Sequence, residues 1–298
     1  MTLPVCSTNG RTEPRESAST ARRFTTQKSA MTGIGARSPW WRRAAFRWLG
    51  ATYIRRRGAT EDGVFEAYVS AGSSLKVLDP RGLPIDAVHR RFIRDWIAPD
   101  AVVWDIGTNL GLFAFPAALK VRLGRVYAFE PDVDLAANLA RGLRLPRNRG
   151  LLITPLCLAV SDADGTATFE VSKFSRAMNR LAGVGGWNDA SIVAQERRSV
   201  PTLRIDTLAT SLEPPSVIKI DVEGAELRVL EGGRATIAAH RPVLLIEAPK
   251  ELAGSLKAFF AAHDYVMLDG GADPPVARGE PAWDTVAVPR EKWRASHG

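Results

Sequence analysis

Four carboxylates stand at or next to the ends of short apolar runs: Asp105 in VVWDI, Glu130 after RVYAF, Asp221 after VIKI and Glu247 in VLLIE. A fifth, Asp162, follows LLITPLCLAV by one residue. Runs of this kind suit strands buried on both faces of a parallel sheet. In an open α/β sheet a ligand lies outside the carboxyl ends of such strands. Acids gathered there could hold a hard cation or act as a general base.

The turn after the first of these runs narrows the ligand. The pattern is D-x-G-x-x-x-G, from Asp105 through Gly107 to Gly111. A dinucleotide site needs G-x-G-x-x-G, so that backbone N–H groups can hold a pyrophosphate. Asp105 would repel a pyrophosphate and suits a ligand that is locally cationic. S-adenosylmethionine (SAM) has a sulfonium, an ammonium and no phosphate. Glu130 lies 19 residues after Gly111, a spacing suited to a carboxylate that accepts hydrogen bonds from both ribose hydroxyls. Another adenosine ligand on the same crossover is the alternative. Asp162 is placed either to reach the adenine amino group or to cap a hairpin turn.

Methyl transfer from a sulfonium to oxygen is an in-line displacement, which needs a positioned hydroxyl and a proton acceptor. Asp221, at the tip of its strand, is the first candidate base and Glu223 the second. For Glu223 and Glu226 the plainer reading is that acids in a first helical turn stabilise the helix dipole. His240 and His263 fall at predicted helix ends and read as C-terminal helix charges.

The elements that must position these groups alternate along the chain. Val102 to Glu130 reads as strand, glycine turn, helix and strand. A helix from about 133 to 145 follows, then a strand from 151 to 160 and a hairpin through Gly165 into ATFEV. Residues 173–200 are expected to be a mobile loop, either a substrate-facing lid or a surface insertion, and VPTLRIDTLA a strand entering a short helix. Ser216 to Asp221 is the fourth core strand, VEGAELRVLEGGRATIAAH a helix, and Val243 to Glu247 the fifth strand. A helix from 249 to 263 and two last strands, 265–268 and 284–288, complete a seven-stranded, doubly wound, mostly parallel α/β domain of Rossmann-like type.

The predicted boundaries are 1–38, a disordered basic extension; 39–57, a basic Trp-rich amphipathic helix; 58–100, a lead-in with strands FEAYVS and SLKVLDP and a helix from about 86 to 97; 101–290, the main domain; and 291–298, a tail. Met31 is an alternative start. The chain has 298 residues and a formal net charge of +8. Residues 1–57 carry 12 Lys and Arg against 2 Asp and Glu, and the remainder 28 against 30. The basicity therefore belongs to the extension, which argues against nucleic acid as substrate. Trp41, Ala45, Trp48, Leu49 and Thr52 share a helical face, which fits either an anionic membrane surface or packing on the protein itself. Cys6 and Cys157 are too few and too far apart for a disulfide framework, and neither a signal-peptide core nor a membrane-spanning run is present. A cytoplasmic protein is expected, with peripheral membrane contact through residues 39–57 as the alternative to packing of that helix on the protein itself.

VVWDIGTNLG, YAFEP, LAVSDADG, VPTLRIDTL, IKIDVEGAELRVLEG and HRPVLLIEA, in this order, resemble the FkbM family of SAM-dependent methyltransferases over about residues 95–270. The resemblance implies O-methylation of hydroxyls on sugars, glycolipids or secondary metabolites. It implies a cofactor site made by Asp105, Gly107, Asn109, Gly111 and Glu130, and acids near the reacting centre at Asp221, Glu223 and Glu247, where a divalent metal could bind. Three features depart from the family pattern: Thr108 in place of the usual Ala, Phe115 where a small hydroxylated residue is common, and AMNRLAG in place of a Ser-Leu element. An inactive SAM-binding adapter and a nucleic-acid methyltransferase are the competing readings. The order of glycines and Asp105 disfavour a nicotinamide oxidoreductase.

Overall fold

A computed structural model describes residues 52–70, 79–80, 82–172, 178–183 and 194–297. Its first element is a hairpin. β1 (Ile54–Thr60) turns at Glu61 and Asp62 into β2 (Gly63–Val69), with Arg57 opposite Glu66. This corrects part of the predicted amphipathic helix: residues 54–57 are strand. Alternation decides it, because Arg55 and Arg57 project from one face to the buried carboxylate of Glu66, at 3.0 and 3.1 Å. Thr52 and Tyr53 are not helical either, and residues 39–51 lie outside the described residues, as does most of SLKVLDP. Phe65 of β2 is fully buried and stacks on Phe115 at 5.5 Å; burying such a ring contributes about 2–3 kcal/mol.

The central layer follows. α1 (Ala87–Trp96), capped by Asp86, leads to β3 (Val102–Ile106), α2 (Ala114–Lys120), β4 (Arg125–Phe129), α3 (Val133–Leu143) and β5 (Ile153–Leu156). Beyond lie β6 (Ala159–Val160), β7 (Gly165–Ser172), β8 (Arg180–Leu181) and β9 (Ala194–Leu203), which form a separate four-stranded sheet in the order β6-β9-β7-β8. Residues 194–200, expected in a loop, are therefore strand. They pair antiparallel with β7 and bury Val200 with Phe169, Val171 and Leu181.

The chain then returns to the main sheet through α4 (Ile205–Leu208) and β10 (Val217–Ile220). The single helix expected next is two, α5 (Glu226–Glu231) and α6 (Arg234–His240). Gly232 breaks it where the backbone passes so close to Ser161 that a Cβ would stand 2.1 Å from its carbonyl oxygen. β11 (Val243–Glu247), α7 (Ala253–Ala262), β12 (Tyr265–Asp269), β13 (Val276–Arg278), β14 (Asp284–Pro289) and α8 (Arg290–His297) complete the chain. The expected tail is thus helical, and Glu291 in its first turn is held by Arg241 at 2.9 Å.

The main sheet has the order β13-β12-β14-β11-β10-β3-β4-β5. Strands β5, β4, β3, β10 and β11 run parallel, and β14 is antiparallel between β11 and β12. Six of these match expected strands, and the short exposed β13 is added at one edge; the third, expected over 151–160 in a hairpin with ATFEV, is split, with 153–156 in this sheet and 159–160 in the second, where ATFEV pairs with β9 and not with β6. Two apolar layers flank the sheet. Val103, Phe113, Phe115 and Leu139 pack on one face, and Trp104, Ile218, Leu244 and Phe260 on the other. No helix among the described residues is long and apolar enough to cross a membrane.

Candidate active site

The chain leaves β3 toward β4 on one side and takes up β10 on the other. This switch in strand order opens a crevice at the carboxyl ends of the strands, as expected for an open α/β sheet. A cavity of about 250 Å³ lies there. It is lined by Gly107, Thr108 and Asn109 after β3, Glu130 after β4, Lys219 of β10 with Asp221 just after it, and Glu247 of β11. Asp86 and His89 enter from α1. Leu158, Ala159 and Val160 form an apolar wall, and Met178 to Leu181 from the second sheet close another side.

The loop after β3 is held from three directions. The Gly107 and Thr108 N–H groups both donate to the Phe129 carbonyl at 3.0 Å. Gly107 has φ +82°, and a Cβ there would stand 1.9 Å from the Asp221 carbonyl oxygen. The glycine is thus required by the close approach of two loop backbones. Asn109 also sits in the left-handed region, at φ 53°, which an asparagine tolerates. Its N–H donates to Glu130 Oε2 at 2.8 Å, and the Asp132 N–H donates to Glu130 Oε1 at 2.9 Å. Both oxygens of Glu130 are thereby aimed while each keeps a lone pair. Burial pushes the Glu130 carboxyl up to about 7, against the lowering effect of these two backbone N–H groups.

Lys219 is the largest departure from what the acids alone suggest. Its ammonium, almost fully buried, lies 3.3 Å from Asp105 and 3.4 Å from Asp221 and donates to the Gly107 carbonyl at 2.8 Å. Burial penalises that charge, but Asp105, Asp221 and Glu247 outweigh the penalty and hold its pKa above the ordinary lysine value. Asp105 does not line the cavity: it is fully buried beneath the loop. Sequence reasoning set Asp105 against a cationic ligand; among the described residues its ion-pair partner is Lys219. The signal was present in VIKID. A lysine inside a strand buried on both faces must be paired, since an unpaired buried charge costs several kcal/mol.

Asp221, Glu223 and Glu247 come together at the cavity as expected, and also line a small side recess with Pro249 and Trp283. Glu223 has φ 55°, a strained backbone conformation for a glutamate and one that tends to occur at functional positions. Glu247 accepts from Trp283 Nε1 at 2.9 Å. Burial first, then the charges of Asp221, Asp284 and Glu223, push its carboxyl up to about 9. A carboxyl raised in this way favours its protonated form, which weighs against Glu247 as the base. Glu226 does more than meet the helix dipole: its Oε1 accepts from the Val222 and Gly224 N–H groups at 3.2 and 2.9 Å and fixes the turn that carries Glu223.

Two expected cofactor residues lie elsewhere. Asp162 is exposed, accepts from Ser161 Oγ at 3.0 Å and does not line the cavity, in keeping with the turn reading. Gly111 is packed against Leu139 and Phe115 and shapes the loop from behind. His240 is in the last turn of α6 and His263 caps α7, both at helix ends as read from sequence. His89 went unnoticed, because nothing in the spacing of AVHRRFIRDW distinguishes it from a surface residue.

The cavity fits SAM. Glu130 would take the ribose hydroxyls and the apolar wall at Leu158 to Val160 the adenine. Asn109 Oδ1 is buried and has no hydrogen-bond partner among the described residues, as expected of a group reserved for a ligand donor such as an ammonium. No cluster of three or more metal-ligating side chains occurs among the described residues, so nothing in the donor set specifies a divalent ion.

A family profile described as the methyltransferase FkbM domain matches residues 105–267. The hexuronic acid methyltransferase AglP of Haloferax volcanii is 32% identical over 144 residues, 48% of this chain and 54% of that protein. The 2-O-methyltransferase NoeI of Sinorhizobium fredii is 28% identical over 181 residues, 55% of this chain and 70% of that one. The crystal structure of methyltransferase FkbM from Methylobacillus flagellatus aligns with 64% of this chain and 43% of its own, at 20% identity and a TM-score of 0.41. The match thus spans about half the length of the first of these proteins. With the profile covering more than half of its residues, this chain belongs to the FkbM methyltransferase family.

Proposed function

We propose that this protein is a SAM-dependent O-methyltransferase acting on a hydroxyl of a carbohydrate-like acceptor. The observation that carries the cofactor is the Glu130 carboxylate, aimed into the cavity by the N–H groups of Asn109 and Asp132. Bound there, SAM supplies an electrophilic methyl group on a sulfonium. The protein's part is placement. Glu130 anchors the ribose end, Asn109 faces the polar end, and Asp221, held by Lys219, borders the space left for an acceptor. Glu223 and the protonated Glu247 offer that acceptor one hydrogen-bond acceptor and one donor on the same side. The acceptor class rests on the family and on the two relatives, one named for a hexuronic acid and one for a 2-O position.

A thermal-shift titration with S-adenosylhomocysteine tests the cofactor, with NAD as control. At 100 times Kd the ligand should add about 2.7 kcal/mol, and Glu130→Ala should abolish the shift. A shift with NAD alone would refute the site assignment. Tritiated SAM with a panel of methyl glycosides and glucuronides then tests the acceptor; label transferred only to non-carbohydrate hydroxyls would overturn it.

A further inference from the structure

An O-methyltransferase must put the acceptor's proton somewhere, and most acids of this cavity are already engaged. Both oxygens of Glu130 accept from backbone N–H groups. Asp86 caps α1 by accepting from the Val88 N–H at 2.8 Å. Asp221 is ion-paired with Lys219. His89 differs. It lines the cavity, its ring packs edge-on against Phe113 at 5.3 Å, and it makes no hydrogen bond to any described residue. We propose that His89 is the proton acceptor for the methylated hydroxyl, an inference that rests on the methyltransferase reading above. As the hydroxyl oxygen bonds to the transferred carbon, the O–H pair stays on oxygen and the proton passes to a ring nitrogen. The electrons of the broken carbon–sulfur bond leave with sulfur, which becomes a neutral thioether.

The surroundings keep the ring ready for this. Burial and the Lys219 ammonium hold His89 below the ordinary histidine value, against the opposing charges of Asp86, Asp221 and Asp105. That direction favours the neutral ring, with a lone pair to offer. Phe113 contributes no charge.

Two arms test the inference. In the first, His89→Gln should lower kcat for a methylated glycoside by about 100-fold or more, leave the Kd for S-adenosylhomocysteine within about twofold, and remove the acidic limb of the kcat/KM–pH profile. Unchanged kcat, or an acidic limb that persists in His89→Gln and vanishes in Glu223→Gln, would overturn it. So would a tenfold weaker Kd with kcat restored at saturating SAM, which marks a cofactor contact. The second arm needs no acceptor: the His89 ring is titrated by NMR in the full chain bound to S-adenosylhomocysteine. A ring neutral at pH 7 supports the proposal, and a charged one overturns it. If no glycoside is methylated, the acceptor reading falls while this titration still decides the role of His89.

Discussion

Replacing Glu247 by Gln should make the protein more resistant to alkali. In the folded chain burial and neighbouring carboxylates push Glu247 up to about 9, from 4.5 for an ordinary glutamate. An acid raised in this way keeps an extra proton in the native state between those two values. Its contribution is therefore complete below pH about 4.5 and is lost as pH rises through 9, at up to about 1.4 kcal/mol per unit. From pH 6 to 8.5 that amounts to about 3 kcal/mol. Glutamine keeps an oxygen for Trp283 Nε1, which now lies 2.9 Å from the carboxylate, and cannot ionise. Urea unfolding of both proteins at pH 6 and 8.5 measures the difference. At pH 6 the variant should already be more stable by about 2 kcal/mol and at pH 8.5 by about 5 kcal/mol, so that the gap between the two midpoints widens by an amount on the order of 1 M. Asp284, pushed up to about 7 mainly by burial, titrates in both and largely cancels. Parallel stability curves across this range would show that Glu247 is ionised at neutral pH, and the argument against its acting as a base would fail.

Other perturbations separate the roles of neighbouring residues. Gly107→Ala would drive a methyl group to 1.9 Å from the Asp221 carbonyl, so a loss above about 4 kcal/mol or failure to fold is expected; soluble protein of unchanged Tm would refute the close approach. Glu226→Ala strands the Val222 and Gly224 N–H groups and should cost about 2–4 kcal/mol in urea unfolding, whereas Glu226→Gln keeps an acceptor and should cost under about 1 kcal/mol. Lys219→Met leaves Asp105 buried without its cation, a loss of about 3–5 kcal/mol. Adding Asp105→Asn should recover more than about 1 kcal/mol of it, and strict additivity in this double-mutant cycle would mean that the two charges are not paired.

The sheet was legible because its strands are short apolar runs that tolerate no other placement. VVWDI, VIKI and VLLIE each bury both faces, and the observed ends fall within a residue or two of those expected. What escaped was set by contacts distant in sequence. Residues 55–57 carry the charge pattern of a basic helix, yet Glu66 across the hairpin draws Arg55 and Arg57 to one side and makes them strand. The break at Gly232 answers to Ser161, some 70 residues earlier. The same limit governs the site. Acids at strand ends announce a polar crevice, but their division of labour depends on which of them a buried cation neutralises.

Lys219 makes that division. With Asp105 below it and Asp221 beside it, one ammonium faces two carboxylates, and the group also carries the Gly107 carbonyl on its third side. A net negative charge remains at the crevice, on the Asp221 side, where a cationic cofactor would be attracted. Asp105 would then act on that ligand at one remove, by stabilising the lysine that holds the Gly107 loop against β10. The D-x-G pattern would in this way mark a site for a cation although its aspartate does not line the cavity. Asp105→Asn should consequently raise the Kd for S-adenosylhomocysteine through a loosened Gly107 loop, and hydrogen exchange at the Gly107 and Thr108 amides, both bonded to Phe129, should quicken in parallel. Weaker binding with those amides still fully protected would assign Asp105 a direct electrostatic role instead.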